Sequence, residues 1–103
     1  MVTKLPPITP GDVLFTEFME PMGISQSQLA GDIHVPPNRI SQIIRGKREI
    51  TADTALRLGK YFGIEPEFWL NLQVRFDMKL ARERSGKQIE KEVREYRRPC
   101  AQG

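Results

Sequence analysis

Apolar residues recur at three- and four-residue intervals along most of this chain, and this spacing predicts helices rather than strands. We expect a first helix from about Pro10 to Met19, with Pro21 and Gly23 ending it. The proline-rich residues 1–9 before it are predicted to form an extended arm. The apolar side of this helix would consist of Leu14, Phe15, Phe18 and Met22.

The second predicted helix begins and ends at residues with clear local preferences. Ser25 is expected to be its N-cap, and Gln28 three residues later completes a capping box. The helix should end within residues 32–34, because two prolines follow Val35 and the residue before a proline is disfavoured in helical geometry.

The third predicted helix runs from about Pro36 to Arg45, and Gly46 is expected to end it. Ile40 and Ile43 fall on one side, at about 100° per residue, with Ile44 at the flank. The other side carries Asn38, Ser41, Gln42 and Arg45, bordered by Pro37 and Arg39. Two short helices with a tight turn, the second polar and cationic on one face, are typical of a helix-turn-helix that enters the DNA major groove.

The polar face of the third helix has the chemistry that DNA requires. Asn and Gln can bind adenine through two hydrogen bonds, and Arg can bind guanine in the same way. Lys47 and Arg48, directly after the helix, would neutralise phosphates. The candidate DNA-binding residues are Gln26, Pro37, Asn38, Arg39, Ser41, Gln42, Arg45, Lys47 and Arg48. The alternatives are an ordinary amphipathic helix with a solvated polar face and a module that uses this face on a protein surface.

Two further helices are predicted after this motif. Thr51 is expected to be the N-cap of the fourth and Gly63 to end it. Its apolar stripe would be Ala55, Leu58, Gly59 and Phe62. The fifth begins near Pro66, with an apolar stripe of Phe68, Trp69, Leu72, Phe76 and Leu80. The chain is therefore predicted to be an all-α, five-helix bundle.

The fifth helix carries more apolar residues than one packing face needs. Leu70, Val74 and Met78 lie outside its main stripe. A helix that is apolar over much of its circumference is usually buried on more than one side. The two explanations are a deep position in the core of one molecule and a second face that helps to form a homodimer, and they are compatible with each other.

The composition of the chain changes at Ser85-Gly86, where we predict a break that ends the helix. Beyond it, charges of both signs are dense, and Ile89, Val93 and Tyr96 keep the spacing of one helical stripe. This segment is either a solvated tail or a helix that docks on the domain or on a partner. The predicted organisation is an N-terminal arm (1–9), a helix-turn-helix DNA-binding domain (10–84) and a charged C-terminal tail (85–103).

Composition limits the class of protein further. The chain has 103 residues, a formal charge of +3 and a pI near 9.3, which mildly favours an anionic partner. No stretch approaches the ~20 apolar residues of a membrane span, and a single cysteine, Cys100, excludes an internal disulfide. The one histidine and the one cysteine share no motif. We expect a cytoplasmic protein without catalytic site, cofactor, metal or membrane partner.

Three stretches together resemble the HigA family of antitoxins, within the phage-repressor-like (XRE-type) helix-turn-helix proteins. They are PGDVL from Pro10, SQSQLAGDIHVPPNRISQIIRGKREIT from Ser25, and TALRLGKYFGIEPEFWLNLQ ending at Gln73, and they cover most of residues 8–80. The basic GKR loop combined with the later EFWLNLQ is fairly specific for the family. One departure is His34, which occupies a turn position where the family usually has glycine and where positive φ is needed.

This resemblance implies a lambda-repressor-like fold and a specific function. Such antitoxins bind operator DNA, neutralise an RNA-cleaving toxin of the HigB kind and repress their own operon. The resemblance therefore implies double-stranded DNA, a HigB-like toxin protein and a second copy of the chain as partners. The alternatives are a stand-alone phage-like repressor without a toxin, and a helix-turn-helix module for protein interaction.

Overall fold

The computed structural model describes residues 8–96, and these residues contain five helices and no strand. Helix α1 covers residues 10–22 as three continuous segments, Pro10–Val13, a π-helical Leu14–Met19 and Glu20–Met22. The others are α2 (Gln26–Ile33), α3 (Pro37–Ile44), α4 (Ala52–Phe62) and α5 (Pro66–Glu92). The predicted all-α architecture of five helices is confirmed.

Helix α1 begins with a capping box that the sequence interpretation missed. The Thr9 hydroxyl accepts a hydrogen bond from the Asp12 N–H at 3.0 Å, and the Asp12 carboxylate accepts one from the Thr9 N–H at 3.2 Å. The last residue of the predicted arm is therefore the N-cap of the first helix. Residues 1–7, the rest of that arm, lie outside the described residues.

The prediction that Pro21 helps to end α1 is wrong, since the helix continues to Met22 and ends at Gly23, where φ is 65°. A proline lacks an N–H and its ring meets the carbonyl four residues earlier in a regular α-helix. The preceding π-helical turn, in which the Glu20 N–H donates to the Phe15 carbonyl, is wider and accommodates the ring. Met22 is exposed, contrary to expectation, and Met19 is buried instead.

Helix α2 has the predicted N-cap, because the Ser25 hydroxyl accepts a hydrogen bond from the Gln28 N–H at 3.0 Å. The predicted capping box is only half formed, since no hydrogen bond from the Ser25 N–H to the Gln28 side chain is found among the described residues. The helix ends at Ile33, and His34 takes the left-handed conformation with φ of 59°. The expectation of a positive φ at His34 is thus confirmed, and the strain at this residue must be offset by its surroundings.

The core contains the apolar faces of all five helices. Leu14, Leu29, Ile40, Leu58 and Trp69 are fully buried. Each such side chain contributes roughly 1.5–3 kcal/mol on burial. Around the indole of Trp69, ring centroids lie 4.9 Å away for Phe18, 5.0 Å for Phe68 and 6.1 Å for Phe62. The fold is therefore held by one continuous core with an aromatic cluster at the start of α5.

The predicted break at Ser85-Gly86 is wrong, because the 27 residues of α5 continue through this pair to Glu92. A single glycine inside a helix costs only ~1 kcal/mol, and the residues around it are strong helix formers. Val93 and Tyr96 follow the helix end and are exposed, so the helical stripe expected with Ile89 does not form or dock on the described domain. Residues 97–103, including Cys100, lie outside the described residues.

Helices α1 and α3 approach so closely that Gly11 has no room for a side chain. A Cβ added there would overlap the Ile43 carbonyl and lie 2.7 Å from the Ile44 Cα. We expect Gly11→Ala to destabilise the fold by about 1–3 kcal/mol, since backbone rather than flexible side chain must move. Thermal unfolding should show a melting temperature lower by roughly 4–8 °C per kcal/mol.

Gly31→Ala is the matched control for this substitution. Gly31 lies inside α2, a Cβ added there would meet no other atom within 4 Å, and alanine is the better helix former. The control should melt at the same temperature as the wild type or higher. A Gly11→Ala variant that melts like the control would contradict the close packing of α1 on α3.

Candidate nucleic-acid interface

Helix α3 has one buried and one open side, as predicted. Ile40 and Ile43 are 0% and 1% exposed, and Ile44 packs at the edge of the core. On the other side Asn38 and Arg45 are exposed. Because the buried isoleucines leave the helix little freedom to rotate about its axis, the open face has a defined orientation.

The nine predicted site residues differ in exposure and in element. Gln26, Pro37, Asn38, Arg45, Lys47 and Arg48 are exposed, whereas Arg39, Ser41 and Gln42 are half-buried. Gln26 is the first residue of α2, and the others lie on α3 or directly after it. Among the hydrogen bonds between side chains of the described residues, one joins two members of this set, Gln42 and Arg48.

The end of α3 turns the chain back on itself at Gly46. This residue has φ of 76°, as the predicted helix-ending glycine requires. The Gly46 N–H donates to the Ile43 carbonyl at 3.0 Å, and the Lys47 N–H donates to the Gln42 carbonyl at 2.8 Å. The turn therefore places the two basic residues beside the last turn of α3.

Arg48 lies directly after this turn, and its side chain contacts a side chain of α3. Its Nε donates a hydrogen bond to the Gln42 Oε1 at 3.0 Å. The sequence interpretation treated Arg48 as a phosphate contact and Gln42 as an independent base contact. No local pattern indicated that these two side chains, six residues apart, would form a pair.

Gln73 is a further residue of this region that the sequence interpretation missed. It lies on α5, it is buried, and its Oε1 accepts a hydrogen bond from the Ile50 N–H at 2.9 Å. Its Nε2 donates to the Asp77 carboxylate at 3.1 Å. A polar residue four positions after the buried Trp69 could have indicated this role, because a buried amide needs partners. Gln73 thus attaches the end of the basic loop to α5.

The turn between α2 and α3 is attached to α4. The Arg57 guanidinium donates from Nη1 to the carbonyls of Ile33 and His34 at 2.9 and 3.3 Å. These carbonyls belong to the end of α2, where helical partners are lacking. Asp53 accepts a charged hydrogen bond from the same guanidinium at 2.6 Å. Arg57 therefore supports the strained conformation of His34.

A second contact joins the same two helices. The Tyr61 hydroxyl donates to the Asp32 carboxylate at 2.7 Å. This hydrogen bond, with smaller effects of burial and of the carboxylate charge, raises the pKa of the Tyr61 phenol above its ordinary value. The phenol therefore stays protonated at neutral pH and keeps donating.

The electrostatics of this face favour an anionic partner. Residues 39–48 contain four cationic side chains and no acidic one, although the formal charge of the whole chain is only +3. The cations are Arg39, Arg45, Lys47 and Arg48. Concentrating positive charge on one face raises the local potential well above what the net charge suggests.

Metal ligands and membrane spans are both missing from residues 8–96. Within this range no group of three or more His, Cys, Asp or Glu side chains is placed to hold a metal ion. None of the helices described is both long enough and apolar enough to cross a membrane.

A helix-turn-helix family model matches residues 16–69, which include α2, α3 and the turn between them. The fold and the open face of α3 therefore define a helix-turn-helix protein. Within the helix-turn-helix proteins, the chain is similar to a narrower group. An addiction module antidote protein of a HigA family from Coxiella burnetii is 52% identical, with a TM-score of 0.84 over 89% of this chain and 100% of that one.

Two other proteins are also similar to this chain. The antitoxin HigA of Pseudomonas aeruginosa, solved with the higBA promoter, is 40% identical, with a TM-score of 0.83 over 86% of this chain and 97% of that one. The virulence-associated protein I of Dichelobacter nodosus is 50% identical over 76% of this chain and 72% of its own length. The chain belongs to the HigA family, and the resemblance inferred from its sequence is confirmed.

Proposed function

We propose that this protein is a sequence-specific DNA-binding antitoxin that neutralises a HigB-like toxin and represses its own operon in the cytoplasm. The observation that carries the DNA-binding part is the open polar face of α3, held in place by the buried Ile40 and Ile43. Its amide and guanidinium groups match the edges of bases in the major groove. The promoter complex of the Pseudomonas relative supports an operator as the ligand.

In the proposed interface, some residues contribute affinity for any DNA and others determine the base preference. In this proposal Asn38, Arg45 and Gln42 contact base edges, with Gln26, Pro37, Arg39 and Ser41 around them. Lys47, in the loop after α3, contacts the phosphate backbone. Phosphate contacts contribute affinity that falls steeply with salt, whereas base contacts distinguish one sequence from another. Single substitutions can therefore distinguish the two kinds of contact.

Asn38→Ala and Lys47→Ala should weaken DNA binding in different ways. We expect Asn38→Ala to cost about 1–3 kcal/mol on the operator and little on scrambled DNA, because a base contact is lost. Lys47→Ala should weaken both complexes alike and lower the slope of log K against log salt by about 1. Fluorescence anisotropy titrations at several salt concentrations measure both effects.

Lys91→Ala, at the far end of α5, is the control for a simple change in net charge. It should leave operator affinity nearly unchanged. If Asn38→Ala loses equal affinity for operator and scrambled DNA, this residue does not contact bases. If the wild-type protein itself does not prefer the operator, the DNA-binding proposal fails.

We also propose that the protein binds DNA as a homodimer through α5. Leu70, Val74 and Met78 lie four residues apart on one stripe, and in the described chain Val74 is 56% and Met78 is 43% exposed. One short helix contacts few base pairs, whereas a two-fold dimer contacts two half-sites about 34 Å apart. The surplus apolar face of α5 is thus suited to a second copy.

Val74→Glu should weaken the dimer and lower operator affinity with it, because a charge would be buried in the interface. Light scattering across a concentration series measures the mass of the particle. Leu56→Glu is the matched control, since Leu56 is 61% exposed but lies on α4. A wild-type protein that stays monomeric at high micromolar concentration and binds the operator tightly as single copies would contradict the dimer.

The toxin surface is proposed to lie on the terminal segments. Apolar side chains that stay exposed on one molecule can be buried against a protein partner. Ile89, Val93 and Tyr96 are exposed on and after the end of α5 and would serve this purpose. The open face of α3 would remain available for DNA while the toxin is bound.

Co-expression with the toxin gene adjacent to this one tests the antitoxin activity. The full-length protein should restore growth and co-purify with the toxin, whereas deletion of residues 1–7 or 93–103 should weaken both. These cuts keep Thr9 as N-cap of α1 and Glu92 at the end of α5. If the full-length protein does not rescue growth, a stand-alone repressor replaces the antitoxin. If both deletions rescue fully, the toxin surface lies on the helical body.

A further inference from the structure

The loop after α3 is bonded twice to one residue of that helix. The Gln42 backbone carbonyl accepts from the Lys47 N–H at 2.8 Å, and the Gln42 side-chain Oε1 accepts from the Arg48 Nε at 3.0 Å. The first bond belongs to the turn at Gly46, which places Arg48 within reach. Gln42 and Arg48 are therefore one unit whose geometry is set before any ligand binds.

This pairing changes what Gln42 can offer to a base. A free glutamine amide presents one acceptor and one donor, which matches the donor and acceptor of adenine. Here a lone pair of Oε1 is engaged by a guanidinium, and the positive charge lies beside the amide oxygen. The second lone pair of Oε1 lies beside the guanidinium charge, which favours an acceptor rather than a donor as the ligand group there. The Nε2 hydrogens of Gln42 and the terminal N–H groups of Arg48 are donors that remain for such an acceptor.

We propose that the Gln42–Arg48 pair recognises guanine, and that Arg48 is a positioning residue for Gln42 rather than a phosphate contact alone. In the major groove guanine presents two acceptors, N7 and O6, whereas adenine presents the N6 amino donor. That donor would face the guanidinium charge, so adenine is disfavoured beside the pair. The inference rests on the proposed DNA-binding function and specifies the base that this part of the face selects.

Selection of binding sites from random DNA tests the pair with the full chain. Wild type, Gln42→Ala, Arg48→Ala, Arg48→Lys and Lys47→Ala would each be used. The wild type should select guanine at one position of each half-site. Both Gln42→Ala and Arg48→Ala should lower that preference by about tenfold and leave the other positions unchanged. A variant that carries both Gln42→Ala and Arg48→Ala should lose little more than either single variant, because the pair acts as a unit.

Two variants separate positioning from phosphate contact. Arg48→Lys keeps the charge but not the planar Nε donor, so it should keep the salt dependence and lose the guanine preference. Lys47→Ala should weaken binding and keep the full sequence preference. Arg48 is exposed and Gln42 half-buried, so thermal unfolding should be nearly unchanged and serves as the check on folding.

Base analogues test the acceptor atoms directly. In the selected site, 7-deazaguanine lacks the N7 acceptor and should weaken wild-type binding but not binding by Gln42→Ala. Inosine keeps N7 and O6 and should be tolerated by both. The inference is overturned if the position that depends on Gln42 selects adenine, or if Arg48→Ala keeps the preference that Gln42→Ala loses. In either case the selected site still supports DNA binding; a wild type that selects no sequence overturns the proposed function and the inference together.

Discussion

Burial of Ile40 and Ile43 holds helix α3 in place, and the position of every side chain on its open face depends on this burial. A helix of eight residues is not stable alone in water, because nucleation costs more than so few hydrogen bonds return. Packing against the core therefore stabilises the helix and also determines its orientation. The same side chains that stabilise α3 determine which of its residues remain on the open face.

Three neighbouring helices each hold α3 or an adjoining segment. Helix α1 approaches it at Gly11, α4 holds the preceding turn through Arg57, and α5 holds the following loop through Gln73. In each contact a residue packs or bonds against backbone, so α3 and its two flanking segments are supported on their buried side. The open side is left to polar and cationic residues.

Helix α5 serves two purposes along its length. Its first turns place Trp69 in the aromatic cluster and Gln73 under the basic loop, whereas Val74 and Met78 face outward from the following turns. A dimer formed on that outer face would be connected to the basic loop after α3 by one buried side chain, Gln73. The distance between two loops in a dimer would then follow from the packing of a single pair of helices.

The sequence alone determined most of the helix ends, the inward face of α3 and the family, because caps, positive-φ residues and apolar spacing are local properties. Ser25, Thr51, Gly46 and Gly63 end or begin helices where their local chemistry predicts. Only the tertiary structure decided how Pro21 fits into α1 and which polar side chains pair across elements. Gln73 binds a backbone group 23 residues away, and such a partner is specified by packing in space rather than by neighbours in the chain.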